Sequence, residues 1–138
     1  MKPYVKIALF VVFLFAVASI LIALSLYFKK HSDLATTKPD YVITSTALQK
    51  EFEDNEKTAS AKYISKIIEV KGSVSSVTQA DSSNINISLK TGSDLSSVIC
   101  TFAGTDMSKF KKGEDVTIRG ECSGFLMDVL LNNCALIK

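Results

Sequence analysis

The sequence predicts an α+β domain, mainly β, carried behind an N-terminal transmembrane helix. Three observations lead there. Residues 7–28 (IALFVVFLFAVASILIALSLYF) contain no charge. A helical apolar pattern follows over about 46–63. From Lys66 onward the apolar period falls to two, in five short runs before residue 138.

The apolar stretch is long enough to cross a bilayer. At about 1.5 Å per residue it makes a helix of roughly 33 Å, the thickness of a hydrocarbon core. Ala16-Val17-Ala18 has the small-x-small form of a signal-peptidase site. Cleavage there would start the mature chain on ten largely apolar residues, so a retained span is favoured. The first cysteine is Cys100, which excludes a lipid anchor just after the segment. Lys2, Lys6 and the α-amino group precede the span, while Lys29 and Lys30 follow it. The positive-inside rule then tilts toward an inside N-terminus and an exported domain.

Charge separates the same way. Of 16 basic residues those four lysines flank the span, whereas all 14 acidic residues lie beyond it, leaving the rest of the chain at −2. That balance lacks the positive footprint of a phosphate-backbone binder.

Residues 29–43 read as a polar linker that lifts the domain off the bilayer, with Pro39 in it. The single histidine, His31, lies here and reads as a solvated residue. Ser45 or Thr46 can cap the helix, Thr46 with Gln49 forming a capping box. Leu48, Phe52, Asn55, Ala59 and Tyr63 then share one face. Asn55 interrupts that apolar stripe. If buried, it must be hydrogen-bonded, either as a bridge to a sheet backbone group or, less favoured, as a ligand contact.

The five runs lie within 66–138. The first carries Ile68, Val70, Gly72 and Val74 in alternation, and Gly72 suits a bend or a close backbone approach. INISLK, SVICTF, VTIRGEC and DVLLNNCALI follow, with MSKFKKGED as a short turn or helix between the third and fourth. One helix and five strands in such a length predict a small closed sheet.

The chemistry-bearing residues point away from catalysis. With its only histidine in the linker, the domain can form no Ser-His-Asp or Cys-His arrangement, and no glycine-rich phosphate loop is present. No catalytic residue, cofactor or metal site is expected, and the chain does not read as an enzyme. Asp128 reads as a tether for the turn after Gly124. Cys100, Cys122 and Cys134 lack paired short spacings and a histidine partner, which disfavours zinc. They are either packed thiols or, in an oxidising compartment, one disulfide and a free thiol. A hairpin turning near Phe125 would leave Cys122 and Cys134 apart.

The wording of two segments is similar to a known bacterial family. Asn55-Glu56, Ala59, Tyr63 and Val70-Lys71-Gly72-Ser73-Val74 carry the first part of the likeness. Lys111-Lys112-Gly113, Gly120-Glu121-Cys122-Ser123-Gly124, Asp128-Val129-Leu130-Leu131 and Cys134 carry the second. Over Leu48 to Leu136 the chain resembles the tRNA anticodon-binding-like family of membrane-anchored or exported proteins. The resemblance implies an oligonucleotide/oligosaccharide-binding (OB) barrel behind a helix and no established activity. Tyr63, Gly72, Gly120, Gly124 and Asp128 become structural positions, and the cysteine pair becomes Cys100–Cys134, or alternatively Cys122–Cys134.

An OB barrel invites nucleic acid, but the sequence disfavours it. The expected outward residues of the first three strands (Glu69, Lys71, Ser73, Ser75, Asn86, Ser88, Lys90, Thr101) include no aromatic on which a base could stack. The expected role is a binding or interaction module at the bacterial inner membrane, with lipid contacted through residues 7–28 and a periplasmic or extracellular domain. Its expected partner is an envelope protein. A small ligand or glycan, held between residues 78–84 and 123–127, is the alternative. Phe125 and Met127 are then partner contacts or a lid over the barrel.

Overall fold

The computed structural model describes residues 2–29 and 33–137. His31 and Lys30 lie outside them. The chain divides into two units at residues 32 and 33.

The first unit is one helix, α1 (Pro3–Lys29). It starts four residues before the apolar stretch. Every described side chain from Lys2 to Tyr27 is exposed. The Ser19 hydroxyl donates to the Phe15 carbonyl at 2.8 Å, so this mid-helix polar group is satisfied within the helix.

The second unit contains β1 (Tyr41–Thr44), α2 (Ser45–Asp54), α3 (Glu56–Tyr63) and β2 (Ile67–Gln79). It continues with β3 (Asn84–Lys90), β4 (Ser97–Ala103), a single 3-10 turn (Met107–Lys109), β5 (Asp115–Phe125) and β6 (Val129–Ile137). The strands run β1-β2-β3-β4-β6-β5, and a further β2–β5 pairing closes β2 to β6 into a five-stranded barrel. This is the mainly β, OB-like architecture the sequence predicts. The long β2 makes closure work. Its first half pairs with β5 from Ile67↔Glu121 to Ser73↔Asp115, and its second half pairs with β3.

Alternation along the strands fills the barrel. Val70, Val74, Ile87, Leu89, Val98 and Ile118 point inward with no exposed surface. Of the residues expected to face outward, 71 and 90 are exposed, whereas 69, 73, 75, 86, 88 and 101 are half-buried. Phe110, past the 3-10 turn, lies 5.0 Å from the Phe102 ring and covers one end. Leu48, Phe52, Ala59 and Tyr63 of α2 and α3 join the same core.

Two expectations fail here. The helix is not continuous: Asn55 has an extended backbone (φ −158) and caps α3, its Oδ1 accepting from the Thr58 N–H at 3.1 Å. Asn55 is exposed, so it neither bridges to the sheet nor belongs to the buried stripe. The cap of α2 is Thr44, whose Oγ1 accepts from the Ala47 N–H; Ser45 instead reaches the Lys90 carbonyl at 2.5 Å.

The linker is also largely structured. β1 lies parallel to β2 with Tyr41 opposite Ile68. The Asp40 N–H donates to the Ile67 carbonyl, and the Ile67 N–H returns a bond to the Asp40 carboxylate. Upstream, the Arg119 guanidinium donates to the carbonyls of Leu34, Ala35 and Thr37 and, at 2.6 Å, to Glu69. Leu34 is buried. Only residues 30–32 separate the end of α1 from the start of the barrel unit.

Two glycines explain themselves by space. A Cβ on Gly72 would fall on the Ser45 hydroxyl, where α2 crosses β2. A Cβ on Gly120 would sit 2.6 Å from the Cys134 sulfur and 3.2 Å from the Asn132 carbonyl. Gly124 borders open space, and nothing in the structure requires glycine there.

Candidate functional site

The helix-covered end of the barrel carries the most unusual surface. β5 turns into β6 through Leu126, Met127 and Asp128, and β3 reaches β4 through residues 91–96. Gln49 of α2, only 2% exposed, joins these parts: its Nε2 donates to the Met127 carbonyl at 2.6 Å and to the Glu53 carboxylate at 2.9 Å. Glu53 also accepts from the Ser96 hydroxyl. Asp128 fixes the other side, its Oδ1 accepting from the N–H and hydroxyl of Ser97 at 2.6 and 3.0 Å. Asp128 therefore tethers the turn to the start of β4, and its own carbonyl accepts the Leu126 N–H within the turn at 3.1 Å.

Within this frame Phe125 and Met127 part company. The Phe125 ring stacks on Phe52 at 5.2 Å and packs against the core, as a lid would. Met127 projects outward at 67% exposure, with a positive φ of 95. Leu126 (81%) and Leu95 (84%) are more exposed still. A groove of about 440 Å³ runs between α2 and these loops, lined by Phe52, Phe125, Leu95, Met127, Glu53 and Glu56 among others. Leu95 and Leu126 escaped the sequence reading and Gln49 entered it only as a capping-box residue, because nothing in the spacing links residues 49 and 127.

A second cleft, of about 680 Å³, opens where β2 bulges between Val74 and Ser76. Ser75, Ser76, Ser88, Ser93, Ser96 and Ser97 line it with Lys90 and Lys112. Lys112 is carried there by the next residue, Gly113, whose N–H bonds the Val74 carbonyl. The two turns expected to hold a small ligand do not adjoin one another along β2. The pairing Ile67↔Glu121 sets Phe125 beyond one end of β2, while residues 80–83 follow Gln79 at the other.

Tyr63 is buried and sits in a polar network. Its hydroxyl donates to Glu51 at 2.8 Å, and the Lys62 ammonium, bonded to the same carboxylate at 3.0 Å, lies over the Tyr63 and Tyr41 rings. The Lys62 hydrogen bond holds the Glu51 carboxyl below its usual range, and burial raises the Tyr63 hydroxyl.

The three thiols are free. Burial pushes Cys122 up to about 11, and burial with the neighbouring Cys100 thiol pushes Cys134 well above the ordinary value. Cys100 pairs with Leu131 across β4 and β6, and the Cys134 sulfur lies 3.4 Å from the Leu131 carbonyl, so both cysteines lie at that stretch of β6. Cys122 pairs across the strands with Leu131. Among the described residues no cluster of histidine, cysteine and carboxylates could hold a metal ion.

A barrel of this topology defines an OB-fold protein. The chain belongs to the tRNA_anti-like family, whose profile matches residues 1–136. No curated protein matches it. The crystal structure of a "putative nucleic acid-binding lipoprotein" from Klebsiella pneumoniae subsp. pneumoniae MGH 78578 shares the fold at 20% identity and a TM-score of 0.53. It aligns over 70% of this chain and 91% of that one. A putative aspartyl-tRNA synthetase from Leishmania major Friedlin aligns at 14% identity and a TM-score of 0.47, over 75% of this chain and 22% of that one. Asparaginyl-tRNA synthetase from Entamoeba histolytica gives 13% and 0.45, over 72% and 24%.

Proposed function

We propose that the chain is a single-pass protein of the bacterial inner membrane that presents its OB barrel as a binding module for an envelope partner. The observation that carries this reading is α1, whose described apolar side chains, through Tyr27, are exposed and need lipid around them. The lysine distribution supports export of the barrel. A non-enzymatic role fits a barrel domain with no histidine, in which burial raises the Cys122 and Cys134 thiols.

The test is fractionation of cells expressing the full chain. Resistance to alkaline carbonate extraction, with the barrel digested by protease in spheroplasts and shielded in inverted vesicles, is expected. A soluble chain starting near Ser19 would show instead that the segment is a cleaved signal.

Two other ligands have some support. The serine-lined cleft with Lys90 and Lys112 favours a small polar ligand or glycan, which a glycan array on the full chain would reveal. Nucleic acid has the fold and the Klebsiella protein's name behind it. Against it stand outer faces without an aromatic and a domain charge of −2. Oligonucleotide binding whose affinity falls steeply with salt would displace the protein-partner reading.

A further inference from the structure

We propose that the groove between α2 and the two loops of residues 93–96 and 125–127 docks a protein segment presenting an apolar side chain flanked by lysine or arginine. The inference deepens the binding-module reading and rests on it.

The floor of the groove is apolar and rigid. Phe52 is fully buried and Phe125 stacks on it at 5.2 Å. Above them Leu95 and Met127 line the groove while largely exposed, and Leu126, next to Met127 in the turn, is exposed as well. Contiguous apolar surface of this kind marks interaction sites on soluble domains.

The display is also held in place against its own preferences. Methionine is disfavoured at a φ of 95, and the strain persists because Gln49 grips the Met127 carbonyl and Asp128 is fixed on Ser97. A turn with no task beyond reversing the chain would take glycine at 127 and a polar residue at 126.

Charge selects the occupant. Glu53 and Glu56 line the groove and no lysine or arginine does, while Asp94, exposed and next to Leu95 in sequence, lines the neighbouring serine-rich cleft. Glu56 and Asp94 make no ion pair among the described residues. An anionic lipid surface would be repelled by this rim, whereas a basic segment is attracted to it. The chain's own basic stretch, Lys109 to Lys112, is a poor occupant because the apolar side chain within it, Phe110, is buried on Phe102.

The experiment places a photo-crosslinking phenylalanine analogue at position 95 or 127 of the full chain in living cells. Position 42, exposed on β1, serves as the control. Expected is one protein segment captured from 95 and 127 but not from 42, with its adduct on an apolar residue flanked by lysine or arginine. Glu56→Lys with Asp94→Lys should cut the yield roughly tenfold or more while thermal unfolding is unchanged. Reversing the captured segment's basic residues should restore it. Adducts on lipid, on a second copy or on a segment without basic residues would overturn the proposal, as would no adduct or a yield indifferent to the charge reversal. Any of these with the chain still in the membrane fraction removes the docking site and leaves the anchored barrel standing.

Discussion

The Gln49 side chain holds the backbone of Met127 from 78 residues away, through a 2.6 Å bond to its carbonyl. Gln49 is buried and the bond is part-buried, so it is partly shielded from competing water. One amide thereby fixes the turn that displays Leu126 and Met127.

This arrangement separates stability from display. Gln49→Ala leaves the Met127 carbonyl without its buried donor, and a loss of about 1–3 kcal/mol is expected in urea unfolding. Met127→Gly relieves the positive φ, and a gain of roughly 0.5–1 kcal/mol is expected after glycine's greater unfolded-state freedom is offset. Met127→Ala keeps the strain and should show no gain. Equal midpoints for the glycine and alanine variants would contradict the strained turn.

Arg119 does for the segment upstream of β1 what Gln49 does for the turn. It and Glu69 are only 12% and 14% exposed, and the guanidinium also satisfies three carbonyls of residues 34–37. Arg119→Ala strands a buried carboxylate and frees that segment. A loss of about 3–5 kcal/mol is expected. Limited proteolysis should then cut between residues 33 and 40 in the variant before it cuts the barrel. An unchanged cleavage pattern would show the segment held by Leu34 and β1 alone.

These two residues also show where sequence reasoning stops. The barrel strands were legible because a half-buried strand must alternate, and Val70, Ile87 and Ile118 do so. β1 was not, because Tyr41–Thr44 is four residues long and pairs only with β2. The stripe from Leu48 to Tyr63 gave the correct buried face but hid the break, since Asn55 keeps the helical spacing while capping a new helix. Gln49 and Arg119 act on backbone groups far away in sequence, and a carbonyl leaves no trace in residue identity. For the same reason the site's exposed members, Leu95 and Leu126, read as ordinary loop residues.

The thiols give a third test. Cys100 and Cys134 both lie at Leu131, one by strand register and one through its sulfur, and Gly120 leaves the space that the Cys134 sulfur occupies. A two-electron oxidant such as diamide, added to the full chain, should join Cys100 to Cys134 and leave Cys122 a thiol. Peptide mapping reads the product. Closing that loop should stabilise the barrel by roughly 3–4 kcal/mol if no strain is added. A Cys122–Cys134 product would contradict the register in which Cys122 faces Leu131. Gly120→Ala, which crowds the sulfur, should slow the coupling.

The Glu51–Lys62–Tyr63 network predicts a pH signature. Glu51 has a folded-state value below its unfolded one, so its contribution is fully present above the unfolded value near 4.5 and is lost as pH falls through the folded value. Lys62 is shifted upward, so its share is present below about 10.5 and fades only in strong alkali. Both side chains are about 40% exposed (40% and 41%), which screens the pair to roughly 0.5 kcal/mol. Glu51→Gln should therefore be less stable than the parent at pH 6 by about that amount. The gap should close as pH falls below the usual carboxylate range, where the parent loses the charge too. Urea unfolding of both chains at successive pH values measures it. A gap that stays constant into strong acid would mean that Glu51 acts there through packing and hydrogen bonding rather than through its charge.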